Sequence, residues 1–228
     1  MSSKKDNFRL SNKKLMRLAI SLAENQKYFT GTNPSVGCVI TKNNKIISYG
    51  VTSSNGRPHA EINAINKKKF KDLNNSSMFV SLEPCTHYGK TPPCTKTLIK
   101  SKFKKVFYSH TDEDKRTKNT AKRILEKYNI NVTKNFLNNQ TKKLYSEYDF
   151  IRKNNFPYVI GKLAISLNCR IYRDKTPISN TYSKCVSHIL RYRSQALLTS
   201  YVTINNDNPK LTCRLNGLEK CSPTIVII

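Results

Sequence analysis

Apolar residues in the first part of the chain recur at two spacings, one typical of helices and the other of strands. Within residues 11–25 they lie three and four positions apart, which predicts an amphipathic helix. The Asn-rich segment TKNNK separates two short apolar runs and predicts a hairpin turn. This order of elements predicts a mixed sheet with helices on both faces. The predicted helices are 11–25, 60–70, 92–101 and 119–128, and the predicted strands are 36–40, 45–49, 78–82, 106–109 and 130–132.

A different pattern begins near residue 138. Residues 138–155 are polar with a helical spacing, and we predict a linker helix there. The next segment, FPYVIGKLAISL, is a nearly continuous apolar run at 156–167, typical of a strand buried in a sheet. We also predict a helix over 183–193 and a strand over 195–199.

The chain stops at PTIVII, which predicts one more buried strand. Such a strand normally continues into a turn and a crossover, so we expect the chain to be a fragment of a longer protein. The predicted organisation is a first domain over 1–137, a linker over 138–155 and an incomplete second domain over 156–228.

The net charge of the chain is +27, from 41 lysines and arginines against 14 aspartates and glutamates. A field of this size attracts phosphates, nucleic acid and anionic membranes. The lysines are spread over the whole chain, however, and do not cluster with aromatic residues as in a nucleic-acid-binding patch. We therefore do not expect a nucleic-acid partner.

The cellular compartment follows from what the sequence lacks. No apolar run reaches 18 residues and the N-terminus has no apolar segment, so we expect neither a transmembrane helix nor a secretory signal. We expect a cytoplasmic protein without a membrane partner.

The chain has seven cysteines, an odd number. Together with the expected compartment, this number argues against a disulfide framework and favours metal binding or burial.

Chemically reactive residue types concentrate in PHAE (58–61) and SLEPCTHYGKTPPCTKTLI (81–99). One imidazole and two thiolates, from His59, Cys85 and Cys94, make three zinc ligands and leave the fourth position open, as in catalytic sites. Zinc lowers the pKa of bound water to about 7. Glu61 is placed to move a proton from water to a leaving amine. The H-x-E motif followed by P-C and a second Cys is the signature of zinc deaminases that act on nucleobase-like rings.

The spacing of His59 and Glu61 restricts where the metal lies. Side chains two residues apart on a regular helix point in directions that differ by about 200°. His59 and Glu61 can therefore reach one metal only if the metal lies beyond the N-terminus of the helix. Cys94 follows two prolines and is expected in the first turn of another helix. We therefore expect two helix N-termini to meet at the metal.

Eight residues, THYGKTPP, separate the two cysteines, whereas nucleic-acid and nucleoside deaminases usually have about two there. We expect this insertion to bring His87 and Lys90 to the mouth of the site, where they suit a polar ring and a phosphate. Two alternatives stay open. One is a zinc deaminase that acts on a nucleic-acid base or free nucleoside. The other is a non-catalytic zinc-stabilised binding module, which needs a fourth protein ligand, from His87 or Cys38, and does not need Glu61.

The segments NPSVGCVI, PHAEINAI and EPCTHYGKTPPC resemble the bifunctional deaminase/reductase family of riboflavin biosynthesis. The resemblance runs through essentially the whole chain. It implies an α/β fold, with a cytidine-deaminase-like three-layer α/β/α domain followed by a partial dihydrofolate-reductase-like α/β domain. It also implies zinc-dependent hydrolytic deamination of 2,5-diamino-6-(5-phosphoribosylamino)pyrimidin-4(3H)-one to 5-amino-6-(5-phosphoribosylamino)uracil.

The resemblance also assigns residues in the deaminase site. His59, Cys85 and Cys94 would hold zinc, and Glu61 would move the proton. The substrate contacts that it implies are Asn33, His87 and Lys90. The family's DPNP…GRG loop is replaced here by DEDKRTKNTA, so phosphate contacts from that region stay unassigned.

KLAISLNCR and NDNPKLTCR resemble motifs of the family's reductase domain, in which NADPH reduces the ribose to a ribityl chain. The implied NADP contacts are Ala164, Thr203 and Asp207. The implied substrate contacts are Arg191, Leu211 and Arg214, with the arginines pairing the phosphate. Asn168 and Cys169 replace the family's Asp-Gly, and the latter half of the reductase, with its glycine-rich cofactor loop, is absent.

We therefore expect a zinc-dependent pyrimidine deaminase that carries an incomplete reductase site. NADPH is expected of the family, and zinc of this chain. The expected partner is a phosphorylated pyrimidine, and a homo-oligomer is left open.

Overall fold

The computed structural model describes residues 11–170 and 178–228, and the chain divides into two compact units, Met1–Tyr158 and Val159–Ile228. The helices of the first unit are α1 (Asn12–Asn25), α2 (Ala60–Asn66), α3 (Phe70–Leu73), α4 (Cys94–Lys100), α5 (Ala121–Glu126) and α6 (Asn138–Asn154). Its strands are β1 (Gly37–Lys42), β2 (Lys45–Val51), β3 (Ser77–Leu82), β4 (Lys105–His110) and β5 (Asn131–Thr133). None of the helices among these residues is long and apolar enough to cross a membrane.

The five strands form one mixed sheet in the order β2-β1-β3-β4-β5. β1 is antiparallel to β2 and β3, whereas β3, β4 and β5 are parallel. Asn43 and Asn44 form the two-residue turn between β1 and β2, with φ of 50° and 60°. Asn tolerates this left-handed conformation better than most residues, and two such residues give the turn whose twist suits a hairpin. The predicted hairpin and mixed sheet are both confirmed.

Alternation along the strands directs side chains to two helical layers. Val39 and Phe79 pack with Leu15, Met16, Ala19 and Ile20 of α1 on one face. Their neighbours Cys38 and Val80 point to the other face and belong to a larger cluster with residues of α2, α4 and α5, which also includes Ala23 of α1 and Leu144 and Tyr145 of α6. Ser109 lies two residues after Phe107, which packs on the α1 side, so it points to the same face. Its hydroxyl lies 3.0 Å from the Thr141 hydroxyl of α6, so α6 is on the α1 side as well. The result is the three-layer α/β/α arrangement that the resemblance implied.

α6 covers the segment predicted as a linker, and it packs within the first unit. Leu144 and Tyr145 are buried. The Tyr145 hydroxyl lies 2.7 Å from the Ser81 hydroxyl and donates to the Ser35 carbonyl at 3.0 Å. The helix therefore ties β3 to the loop before β1 as well as following the sheet in sequence.

The helix predicted over 60–70 is shorter in the structure, because α2 ends at Asn66. Its buried positions end at Ile65, and the polar run from Asn66 to Lys69 has no apolar side chain to hold it on the sheet. A separate turn of helix, α3, begins at Phe70.

The second unit contains α7 (Thr181–Arg193), β6 (Ala196–Thr199), α8 (Tyr201–Asp207) and β7 (Thr224–Ile227). β6 and β7 form a parallel two-stranded sheet. α8 was not predicted, because YVTINND is rich in β-branched residues and Asn, which are weak helix formers. The Ser200 hydroxyl caps this helix by accepting from the Thr203 amide at 3.2 Å.

Two predictions for this unit are wrong. Residues 156–167 form no strand, and Leu163 is 72% exposed, because no strand of the described chain pairs with this segment. The strand at PTIVII does form, as β7, but it is not buried. Ile227 is 53% exposed, since β6 is the one strand beside it and the described part of the unit places no covering layer over its residues. This small sheet with its two helices leaves the reductase-like fold a prediction.

Candidate zinc and active site

Three segments of the first unit meet at the predicted metal site. His59 directly precedes α2 and has an extended backbone, with φ of −68° and ψ of 160°. Cys85 lies in the loop that leaves β3, and Cys94 is the first residue of α4 after Pro93. Proline suits this position because its fixed φ and missing amide are tolerated at a helix start. The expectation that two helices begin at the site agrees with this geometry.

His59, Cys85 and Cys94 form what we call the ligand cluster. The Nδ1 atom of His59 lies 3.6 Å from Sγ of Cys85 and 3.4 Å from Sγ of Cys94. All their ligand atoms lie within 4.8 Å of one another, and no other such group of His, Cys, Asp and Glu occurs in the described part of the chain. Tetrahedral zinc with its usual bond lengths separates two ligands by about 3.5–3.8 Å. The donor types and spacings of the cluster therefore fit zinc.

Glu61 lies beside the cluster without joining it. The side chain is in the first turn of α2, is 4% exposed, and lines the same cavity as His59 and Cys85. His59 precedes the helix, so the 200° separation expected on a regular helix does not apply to this pair. The structure thus removes the geometric conflict that the spacing raised.

Hydrogen bonds within the ligand cluster shift the pKa values of its members. The Cys94 thiol, as hydrogen-bond donor, lowers the pKa of Cys85 to about 4, and donation to Cys85 raises the pKa of Cys94. The hydrogen bond with Cys85 raises the pKa of His59. Burial raises the pKa of Glu61. The lowered pKa favours the thiolate form of Cys85, and the thiolate is the form of cysteine that binds metals.

Two of the three predicted substrate residues line the cavity at the ligand cluster. Asn33 does so, and its side chain lies so close to Gly56 that a Cβ on that glycine would come within 2.0 Å of Asn33 Nδ2. His87 also lines it, with Nδ1 3.0 Å from the Thr117 hydroxyl. Lys90 is exposed and is not among the lining residues that the structure describes.

The sequence analysis missed several charged residues of the same cavity. They are Arg57, Glu83, Asp112, Asp114, Arg116 and Arg152. Arg57 directly precedes PHAE, three others lie in the DEDKRTKNTA loop and Glu83 lies two residues before Cys85, so adjacency to the motifs was an available signal. Arg152 comes from α6, and no local pattern indicates its position.

Glu83 organises the loop after β4. Its carboxylate is 3% exposed and accepts from the backbone amides of Asp112, Asn119 and Ala121 at 3.1–3.2 Å. Burial raises the pKa of Glu83, and burial likewise raises the pKa of Asp112 to about 6. The loop that replaces the family's DPNP segment is therefore held at both ends by one side chain.

The residues considered as a fourth zinc ligand do not join the ligand cluster. Cys38 lies in the core between the sheet and α2, with its pKa raised by burial. His87 hydrogen-bonds to Thr117. Within the described chain, the cluster thus has three ligands, as in catalytic zinc sites.

In the second unit, two of the residues predicted for the reductase site, Arg191 and Arg214, meet at Thr212. Nη1 of Arg191 donates to the Thr212 carbonyl at 3.1 Å, and Nη1 of Arg214 lies 3.5 Å from the Thr212 hydroxyl. Leu211, which precedes Thr212 in the sequence, is buried. Burial and the charge of Arg214 lower the pKa of Arg191. Thr203 and Asp207 lie in α8, and Ala164 lies in a segment without helix or strand.

Comparison with known proteins agrees with the site. Residues 10–110 match the family described as the cytidine and deoxycytidylate deaminase zinc-binding region. The fold and the ligand cluster accordingly define a zinc-binding domain of the cytidine deaminase type.

The similarity to complete proteins is more specific. The chain is 32% identical over 219 residues to the riboflavin biosynthesis protein RibD of Aquifex aeolicus, covering 95% of this chain and 61% of that protein. It is 31% identical over 208 residues to RibD of Escherichia coli K12, covering 90% and 56%. The chain is thus similar to RibD proteins over most of its own length.

Solved structures show the same relationship. RibD of Acinetobacter baumannii superposes with a TM-score of 0.85 at 31% identity, covering 94% of this chain and 62% of the other. A diaminohydroxyphosphoribosylaminopyrimidine deaminase/5-amino-6-(5-phosphoribosylamino)uracil reductase of Thermotoga maritima superposes with a TM-score of 0.81 at 32% identity, with the same coverage. The chain spans about three fifths of the length of these relatives.

Proposed function

We propose that the chain is a zinc-dependent deaminase of riboflavin biosynthesis. Its substrate is 2,5-diamino-6-(5-phosphoribosylamino)pyrimidin-4(3H)-one, and its products are 5-amino-6-(5-phosphoribosylamino)uracil and ammonia. The observation that carries the proposal is the three-ligand cluster with the buried Glu61 on the same cavity wall. The similarity to RibD proteins supports the choice of substrate.

The residues of the chain suggest how the reaction proceeds. His59, Cys85 and Cys94 would hold zinc, which when bound supplies a nucleophilic water at neutral pH. Glu61 would take a proton from the attacking water on a carboxylate oxygen and would pass it on toward the amine that leaves. Overall, the water oxygen is added to C2 as the bond between C2 and the amine breaks; one water proton ends on the ring nitrogen beside C2 and the other in the departing ammonia. Asn33 and His87, which line the cavity, would orient the ring.

The test compares wild type with Glu61→Gln, and with Glu126→Gln as a control on a carboxylate that lines a different surface depression. Each protein is given the diaminopyrimidinone phosphate without NADPH, and ammonia release and bound zinc are both measured. General acid–base residues contribute about 10²–10⁴-fold to rate, so Glu61→Gln should lose that much activity while retaining zinc. Zinc in all three proteins with no ammonia from any would overturn the proposal, and single-stranded RNA and DNA would then be the next substrates.

The assignments outside the ligand cluster and its cavity stay predictions. The chain covers about three fifths of the RibD relatives, and we do not expect reductase activity from that part. The contacts of NADP with Ala164, Thr203 and Asp207 stay predictions. So do the substrate roles of Arg191, Leu211 and Arg214, the contact of Lys90, the cytoplasmic location and a homo-oligomer.

A further inference from the structure

Three arginines line the cavity at the ligand cluster, and each comes from a different part of the fold. Arg57 precedes α2, Arg116 lies in the loop after β4, and Arg152 lies in α6. We call these three residues the arginine rim. Lysines are spread along the chain, but none is among the described residues that line this cavity. The basic residues of the described lining are the three arginines and two histidines. The type matters, because a guanidinium presents a planar fork of donors that matches two phosphate oxygens.

Arg116 is held in one orientation by Asp114. Its Nε donates to Oδ1 at 2.9 Å and its Nη2 donates to Oδ2 at 2.6 Å, a two-point ion pair. The Asp114 side chain is 8% exposed and the Arg116 side chain is 57% exposed. The buried carboxylate thus fixes the arginine through Nε and Nη2. The Nη1 group donates to no described residue and is open to a ligand.

The other two members of the arginine rim retain positive charge. Arg57 donates to the Thr91 hydroxyl and pairs with no carboxylate in the described chain. Nη1 of Arg152 lies 3.8 Å from Asp114, and its guanidinium lies over the ring of Tyr148 at 5.2 Å. One carboxylate therefore sits between two arginines while the third has none. Glu61, Glu83 and Asp112 also line the cavity, so the positive charge is confined to the arginine rim and does not extend over the whole lining.

The loop that carries Arg116 is anchored to the active site. The Thr86 hydroxyl, adjacent to Cys85, donates to the Arg116 carbonyl at 3.1 Å. Glu83 accepts from amides on both sides of Arg116, at Asp112 and Asn119. A loop fixed at these points preorganises the arginine before a substrate arrives, which lowers the entropy cost of binding.

We propose that the arginine rim binds the phosphate group of the substrate and makes the deaminase prefer a phosphorylated pyrimidine over its dephosphorylated form. Phosphate–arginine pairs are charge-assisted and frequently bidentate, which gives affinity and orientation together. The inference rests on the proposed function for the identity of the substrate, but the presence of an anion site in the cavity does not.

The experiment measures kcat/KM for the diaminopyrimidinone nucleotide and for the same compound without phosphate. The variants are Arg116→Gln and Arg57→Gln, with Arg123→Gln as the control, since Arg123 lines a different depression. A hydrogen bond to a charged group corresponds to roughly a 10- to 100-fold change in binding. We expect the ratio of the two kcat/KM values to fall by about that factor in each rim variant, mainly through KM, and to stay unchanged in Arg123→Gln.

Arg57→Gln keeps the test valid if Arg116→Gln does not fold, because the one described partner of Arg57 is the exposed Thr91. An unchanged ratio in a folded rim variant, or an equal loss with both compounds, would overturn the proposal. A selective loss in Lys90→Gln alone would move the phosphate site to that residue.

A second readout separates this inference from the proposed function. Binding of ribose 5-phosphate is measured by calorimetry on the zinc-loaded wild type and rim variants, with ribose as the control. Weaker ribose 5-phosphate binding in the rim variants supports the anion site even if wild type releases no ammonia. Equal binding in wild type and rim variants contradicts the anion site even if the deamination is observed.

Discussion

The Tyr145 hydroxyl joins three parts of the first unit, and its removal should have a measurable cost. Tyr145 is 1% exposed, and its hydroxyl donates to the Ser35 carbonyl at 3.0 Å. Since that proton is used, the Ser81 hydroxyl is the donor in the 2.7 Å contact between the two side chains. Tyr145→Phe therefore leaves one buried acceptor and one buried donor without their partner, while the ring keeps its packing.

The magnitude follows from those two groups. A buried hydrogen-bonding group left without a partner costs about 1–3 kcal/mol, and Ser81 retains its bond from the Gly37 amide at 3.0 Å, which reduces the loss. We expect the free energy of unfolding of the first unit to fall by about 2–3 kcal/mol. Tyr128→Phe is the matched control, because Tyr128 is 60% exposed, and it should change stability by less than about 0.5 kcal/mol.

The assay is urea unfolding at neutral pH, followed by circular dichroism on zinc-loaded protein. An unchanged midpoint and slope for Tyr145→Phe, with Tyr128→Phe also unchanged, would refute the reasoning that α6 is tied to the sheet through this hydroxyl. A change in slope would instead indicate that the mutation altered the surface exposed on unfolding.

Two further predictions concern the ligand cluster and a buried histidine. Cys94→Ala should abolish stoichiometric zinc measured by mass spectrometry after gel filtration, whereas Cys38→Ala, also buried, should retain it; equal zinc in both would contradict the assigned ligands. Burial would lower the pKa of His110, but the hydrogen bond and charge of Asp149, 2.8 Å away, raise it overall above its ordinary value. A raised folded-state pKa contributes stability below the unfolded value of about 6.5 and loses it as pH rises through the folded value. Asp149→Asn should therefore destabilise the protein more at about pH 6 than at about pH 9 in urea unfolding, and an equal loss at both would show that the pair is not an ion pair.

The sequence by itself determined most local elements of the first unit and singled out its candidate metal ligands. A helix or strand signal lies in spacings of a few residues, and the turn at Asn43 and Asn44 depends on two residues that tolerate a left-handed backbone. His59, Cys85 and Cys94 were identifiable because each lies in a short contiguous motif. Where a segment depends on a partner strand, as at 156–167, the apolar pattern alone led to a wrong prediction.

Only the tertiary structure decided which distant side chains share a surface. It placed Arg152 of α6 at the same cavity as Arg57 and Arg116, and it placed Lys90 outside the described lining of that cavity. It also showed that His59 precedes its helix, which lets Glu61 lie beside the ligand cluster. The physical reason is that pairing, burial and ion-pair geometry depend on contacts between residues far apart in sequence, and local periodicity carries no information on those contacts.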